Sequence, residues 1–335
     1  MLYGNFVIQG FNNNECFDPN ARDNCCAPFI ALRNALKNED IEINTSDLNK
    51  NKKVSFEIHI DKQKEELTNI PTFLFLWETS NVRPRNAMVD KKSFIKIFTW
   101  DDSLVMNEKY SKFYLPITEQ VKLVNKSFKD RVGFCCALSS NKAPEIRHEK
   151  DLYSERIKIY KWFEKNASND FDLYGSGWDK PLKEGIYQNQ LILKIFTKLD
   201  IKKNNFLKIY KGFARSKLDV LKNYKYSICY ENVYGLDGYV TEKIFDSMLA
   251  GSIPIYWGAK NISSYVPKKC FIDRREFNNN RELYDFLKSI DQQDYEKYQN
   301  SIKNFFDIGG FEKYSSKYFA KQISTDIIDH LKTVS

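Results

Sequence analysis

Glu242 and Lys243 stand side by side in the most informative stretch of the chain, residues 226–258, YSICYENVYGLDGYVTEKIFDSMLAGSIPIYWG. The order of residue types reads as a buried strand, a polar loop, a helix opened by Val240-Thr241-Glu242-Lys243, a glycine, and a second buried strand. The pair therefore falls in a helix's first turn, after the carboxyl end of a parallel strand. Open α/β sheets bind their ligands at that edge. Unsatisfied N–H groups and the dipole at a helix start favour an anion, and Lys243 adds a positive charge. A lysine is otherwise disfavoured at that end of a helix, which argues for an anionic ligand near it. Gly251 fits a left-handed helix end, and Gly258 a close approach of backbone to a ligand.

The elements that must position this corner alternate between strand and helix. In the first half, strands are predicted over residues 3–8, 41–44, 54–60, 72–77 and 93–100, with a helix over 28–37 that aligns Phe29, Leu32 and Leu36. Residues 131–138 open a second α/β unit, followed by a helix over 147–165, a strand over 171–174, a short helix over 218–223 and the strand 226–230. Helices over 281–290 and 295–305 follow, and Phe319, Ile323, Ile327 and Leu331 make an apolar stripe along 318–331. That stripe reads as a packing face in preference to a membrane anchor. The expected division is one α/β domain over 1–128, a second over 129–310, and a C-terminal helix over 311–335 packing back on the first domain, an arrangement that suits an enzyme taking a nucleotide on one side and an acceptor on the other.

Composition narrows the function. A chain of 335 residues with 42% hydrophobic and 15% aromatic residues has ample material for two packed cores. No run is long and apolar enough for a transmembrane helix, and the N-terminus lacks a basic segment leading into an apolar one, so a cytosolic protein without a secretory signal is expected. The seven cysteines are odd in number and show no CxxC spacing, which speaks against disulfides and zinc. The net charge of +8 is scattered, no nucleic-acid motif accompanies it, and peripheral contact with a membrane is left open. Gly175-Ser176-Gly177 lacks the third glycine of a dinucleotide fingerprint and reads as a turn, while Asp170-Phe171-Asp172 begins a strand, the wrong place for a metal-holding DxD. The three histidines share no ligand spacing, so metal-free chemistry by carboxylates and cations is the economical expectation.

The run 224–258 resembles the α-1,3-fucosyltransferases of glycosyltransferase family 10, especially bacterial ones. The residues that carry the resemblance are Tyr224-Lys225-Tyr226-Ser227-Ile228-Cys229-Tyr230-Glu231-Asn232, then Gly238-Tyr239-Val240-Thr241-Glu242-Lys243-Ile244, then Ala250-Gly251 and Ile253-Pro254-Ile255-Tyr256-Trp257-Gly258. Weaker similarity lies in Ser140-Asn141-Lys142-Ala143-Pro144-Glu145-Ile146-Arg147, in Asp172-Leu173-Tyr174-Gly175 and in Phe113-Tyr114-Leu115-Pro116. In the first half, the family's FxGEN motif corresponds to Leu76-Trp77-Glu78-Thr79-Ser80, where Glu78 is kept and the glycine and asparagine are replaced.

The resemblance implies a glycosyltransferase B-type fold, with two Rossmann-like domains facing across a cleft, and inverting transfer of fucose from GDP-fucose to a glycan. It implies that Glu78 takes the acceptor proton, and that Lys243, Arg147 and the helix start meet the diphosphate. Glu242 is expected to receive hydrogen bonds from sugar hydroxyls or face an oxocarbenium-like centre. Asn141, Asn232, Tyr239 and Thr241 complete the donor-binding set, and Glu231 is either part of it or structural. No divalent cation is essential on this reading. The first guess at the acceptor is O3 of N-acetylglucosamine in a surface glycan such as lipopolysaccharide or capsule. Two alternatives are another GDP-activated deoxysugar or heptose as donor, and a non-catalytic glycan- or nucleotide-binding protein.

Overall fold

The computed structural model describes residues 1–21, 24–63, 69–117, 122–144, 148–180, 182 and 207–334. The chain forms two compact α/β units. The first comprises Met1–Val121, Asp237–Glu242 and Gly309–Ser335, and the second Lys122–Leu236 and Lys243–Ile308.

The first unit holds a six-stranded sheet of β1 (Leu2–Ile8), β2 (Ile41–Asn44), β3 (Val54–Ile60), β4 (Thr72–Leu76), β5 (Lys96–Thr99) and β6 (Tyr110–Lys112), in the order β2-β1-β3-β4-β5-β6. Every pairing is parallel. Parallel sheets are covered on both faces, so their central strands are continuously apolar. The run Thr72-Phe73-Leu74-Phe75-Leu76 obeys this, with all five residues buried. Helix Ala27–Lys37 lays Phe29, Leu32 and Leu36 inward, and helix Ser316–Val334 packs against it. Phe319, Ile323 and Ile327 are each at most 1% exposed, which makes the C-terminal stripe a packing face. Burying side chains of this size is worth about 2 kcal/mol each, enough to tie the chain's last helix to its first.

The second unit holds β7 (Gly133–Leu138), β8 (Phe171–Tyr174), β9 (Tyr224–Tyr230), β10 (Ile253–Trp257) and β11 (Ile272–Asp273), all parallel, in the order β11-β10-β9-β7-β8. One aliphatic and aromatic core joins the sheet to helices Tyr153–Asn166 and Asn280–Ser289 through Ile157, Tyr160, Phe163, Leu283 and Leu287. All seven cysteines are free thiols, and Cys135, Cys136 and Cys229 are buried as small core residues.

Two elements start at least three residues later than their patterns predict. Helix Tyr153–Asn166 begins six residues after position 147 because the Asp151 carboxylate accepts hydrogen bonds from the Tyr153 and Ser154 N–H groups at 2.8 and 3.3 Å and sets the first turn. β5 begins after Ser93, which lies in a 3-10 turn capped by Asp90. β6 is three residues long, too short to show alternation.

Among the described residues no helix is long and apolar enough to cross a membrane. Helix Glu242–Leu249 ends at Gly251, whose φ of +67° is left-handed. A methyl group there would collide with the Arg131 guanidinium and lie 2.7 Å from the Val124 carbonyl oxygen. That guanidinium is itself buried and donates to the carbonyls of Lys222, Tyr224 and Ala250. Gly251→Ala should therefore lower the unfolding free energy by at least about 2 kcal/mol, read as the midpoint of urea denaturation. A midpoint equal to wild type would show that the left-handed turn is not required.

Candidate donor and acceptor sites

The residues of the 224–258 motif that lie in the second unit form one packed group. Glu231 follows β9 directly and is fully buried. Its N–H donates to the Trp257 carbonyl at 2.8 Å, and its Oε2 pairs with Lys243 Nζ at 3.1 Å. The Lys243 side chain is 23% exposed, so the pair has one buried end and one that reaches solvent. Gly258 follows β10, and a side chain there would collide with Glu231 and the Tyr256 hydroxyl. Its lack of a Cβ thus makes room for the stem of the Glu231 side chain and is explained from within the protein. The Tyr256 hydroxyl in turn accepts from the Ala259 N–H at 3.0 Å. Three motif segments, far apart in sequence, converge on one buried carboxylate.

Asn232 is fastened as well. Its Oδ1 accepts from Arg156 Nη2 at 3.0 Å, and the same nitrogen donates to the Tyr230 carbonyl at 2.6 Å. Arg156 is 6% exposed and rests over the Tyr153 ring. Its signal in the sequence is a charge inside the apolar stripe Tyr153, Ile157 and Tyr160, which sequence reasoning passed over. Asn141 donates from Nδ2 to the Gly177 carbonyl at 2.9 Å and from its backbone to the Ser176 carbonyl. It is thereby tied to the Gly175-Ser176-Gly177 turn, where all room at Gly175 is taken by the Ser139 carbonyl. Asp170 holds Lys288 and Tyr284, and Asp172 holds Lys211 and the Tyr224 hydroxyl, so the DxD residues serve the protein's own packing. Arg147 lies outside the described residues.

Tyr239, Thr241 and Glu242 belong to the first unit. Tyr239 is buried with its ring 4.7 Å from that of Trp100, and the Asp237 carbonyl accepts from the Asp102 N–H at 3.2 Å. Thr241 is buried, and Glu242 opens the helix half-buried.

Glu78, also in the first unit, lies two residues past β4 and is half-buried. Trp77 before it packs its ring against Phe29, Phe113 and Phe319, at 5.2, 5.5 and 5.9 Å. Sequence reasoning missed Asp61, which follows β3 with a left-handed φ of +59°. Its Oδ1 accepts from the N–H groups of Trp77 and Glu78 and from Asn86 Nδ2, at 2.9, 3.0 and 2.7 Å. Burial pushes the Asp61 carboxyl above its ordinary value, against the pull of these donors. The signal was the stripe Glu57, His59 and Asp61, polar groups at every second position of a buried strand.

The Glu231–Lys243 pair makes a stability claim. Lys243→Met leaves a buried carboxylate without its cation, whereas Lys243→Met combined with Glu231→Gln removes both charges. The single variant should be less stable than the double by about 2 kcal/mol, measured by denaturant unfolding, a figure discounted for the partial exposure of the lysine. Equal stability would show that the contact is not an energetic pair.

Residues 155–324 match the profile of the C-terminal region of glycosyltransferase family 10 (fucosyltransferase). Helicobacter pylori alpha-(1,3)-fucosyltransferase FucT is 39% identical over 77 residues, 23% of this chain and 16% of its own. An alpha-(1,4)-fucosyltransferase of Arabidopsis thaliana is 37% identical over 70 residues, 21% of this chain and 17% of its own. The chain thus spans about a sixth of the length of these relatives. An alpha1,3-fucosyltransferase crystallised with GDP superimposes with a TM-score of 0.59 at 15% identity, covering 99% of this chain and 90% of that one. Anabaena HepE in complex with UDP-glucose superimposes with a TM-score of 0.58 at 10% identity, covering 98% of this chain and 100% of that one. These structural likenesses establish the glycosyltransferase B-type fold. Since the profile matches just over half of its residues, the chain belongs to glycosyltransferase family 10, the fucosyltransferases.

Proposed function

We propose that this chain is an inverting glycosyltransferase that moves L-fucose from GDP-fucose to a hydroxyl of a glycan, with O3 of N-acetylglucosamine as the first candidate. The observation that supports it most is the Lys243 ammonium, held by a buried carboxylate in the first turn of a helix within the family's motif. A cation kept at a helix start is a preorganised receptor for phosphate oxygens. The fold alone does not choose the donor, because its structural likenesses include both a GDP complex and a UDP-glucose complex.

In the reaction the acceptor oxygen forms a bond to C1 of fucose while the bond from C1 to the phosphate oxygen breaks. The acceptor proton passes to the Glu78 carboxylate, and the electron pair of the broken bond leaves on GDP. Lys243 and Arg147 stabilise the charge that develops on the leaving diphosphate. Glu242 accepts hydrogen bonds from the sugar, and Asn141, Asn232, Tyr239 and Thr241 complete the donor set. The chemistry assigned to these residues does not call for a divalent cation. The reaction is assigned to the cytosol, with the glycan precursor at the inner face of the membrane as the setting to test.

In a thermal-shift panel of GDP-fucose, GDP-mannose, UDP-glucose and a CMP-sugar, GDP-fucose should raise the melting temperature most. Stabilisation by UDP-glucose and by no GDP-sugar would overturn the proposal. Glu78→Gln should lower kcat at least about 100-fold while the GDP-fucose thermal shift persists. Normal turnover in that variant would remove Glu78 as the base.

A further inference from the structure

We propose that Asp61 and Asn86 together form the device that positions Glu78 for proton transfer, an inference that rests on the reading of Glu78 as the base. β3 and β4 are neighbouring parallel strands, and both chains turn just past their carboxyl ends. Asp61 and Glu78 occupy those two turns. Asp61 enters its turn left-handed, a conformation that aspartate and asparagine tolerate better than other residues with a side chain. Its N–H is still bound to the Phe75 carbonyl at 2.8 Å, so Asp61 stays in register with β4.

From that position the Asp61 carboxylate reaches across to the neighbouring turn. Oδ1 receives the N–H groups of Trp77 and Glu78 at 2.9 and 3.0 Å. Asn86 closes the arrangement from the other side. Its Nδ2 donates to Asp61 Oδ1 at 2.7 Å and to the Glu78 carbonyl at 2.9 Å, and its Oδ1 accepts from the Lys62 N–H at 2.9 Å. The path that returns Asn86 to this point is also bonded, because the Thr79 carbonyl accepts from the N–H groups of Val82 and Arg83 at 3.0 and 2.8 Å. Both peptide groups of Glu78 are thereby held by side chains, one from each direction. The Trp77 carbonyl, the other end of the peptide unit that carries the Glu78 N–H, accepts from Trp100 Nε1 at 3.0 Å, so that unit is held at both ends.

A strand-end turn does not need a buried carboxylate merely to close, since glycine or asparagine does so without removing a charge from water. Here an acid 9% exposed, three donors and a left-handed backbone are combined around one residue. That residue carries a half-buried carboxylate beyond the edge of the sheet. Misplacing a catalytic group by about 1 Å lowers turnover on the order of 100-fold, which gives such a clamp a consequence for rate. Asp61 and Asn86 act through Glu78 and are positioning residues.

The test uses the full chain, with GDP release from GDP-fucose followed with N-acetyllactosamine and with water as acceptors. Asp61→Ala and Asn86→Ala should each lower kcat about 10- to 100-fold and leave the donor KM within about twofold. Asp61→Asn keeps a carbonyl oxygen to receive the Trp77 and Glu78 N–H groups and should retain most of the rate. Near-ultraviolet circular dichroism at the assay temperature gives the folded fraction of each variant, against which kcat is normalised. A purely structural role predicts loss only in proportion to that fraction. The inference is overturned if folded Asp61→Ala turns over like wild type, or if Asp61→Asn loses as much as Asp61→Ala. Glu78→Gln serves as the control. If it is fully active, or if wild type releases no GDP, the reading of the function fails, whereas an inactive Glu78→Gln beside an active Asp61→Ala defeats this inference alone.

Discussion

A carboxylate with no access to water has to be neutralised where it sits, and Glu231 imposes that demand on the whole motif of the second unit. Lys243 answers it from a helix start, an end of the helix that ordinarily repels a cation. Gly258 answers it by leaving space, and Tyr256 closes the group from β10. Buried pairs of this kind are weak contributors to net stability, and their value lies in fixing geometry. The lysine is therefore held in position before any ligand arrives, which is the property a diphosphate receptor needs.

The first unit uses a different means to the same end. Here the hold is on the backbone of Glu78. Its backbone is clamped by Asp61 and Asn86, and Trp77 anchors the turn by filling the space between sheet and helices. That packing gives a reason for the departure from the FxGEN pattern. An indole at position 77 supplies core volume that glycine cannot, and the side chain at Thr79 is buried as well. The turn keeps its glutamate between a half-buried, ring-packed Trp77 and a buried Thr79.

The strands were legible because buried parallel strands leave an unbroken apolar run. Phe171–Tyr174 was bounded correctly, and residues 72–76 and 226–230 were recognised within a residue or two of their ends. The start of helix Tyr153–Asn166 was not, since Asp151 decides it by a local hydrogen bond that apolar periodicity does not register. Lys243 and Glu242 were legible as a helix opening. The partnership of Lys243 with Glu231 was not, because it depends on how a helix start lies over a strand end twelve residues away. Asp61, Asn86 and Arg156 escaped for the same reason. Each is a polar residue whose meaning comes from contacts 16 to 76 positions distant in sequence.

If Lys243 binds the diphosphate of a sugar nucleotide, isothermal titration calorimetry of GDP and GMP should separate the wild-type chain from the charge-free Lys243→Met/Glu231→Gln double variant. Wild type should prefer GDP by about tenfold or more, one added charged contact being worth roughly 1.4 kcal/mol, and the double variant, still folded, should lose most of that preference. Undiminished discrimination between GDP and GMP in the double variant would contradict that role of Lys243.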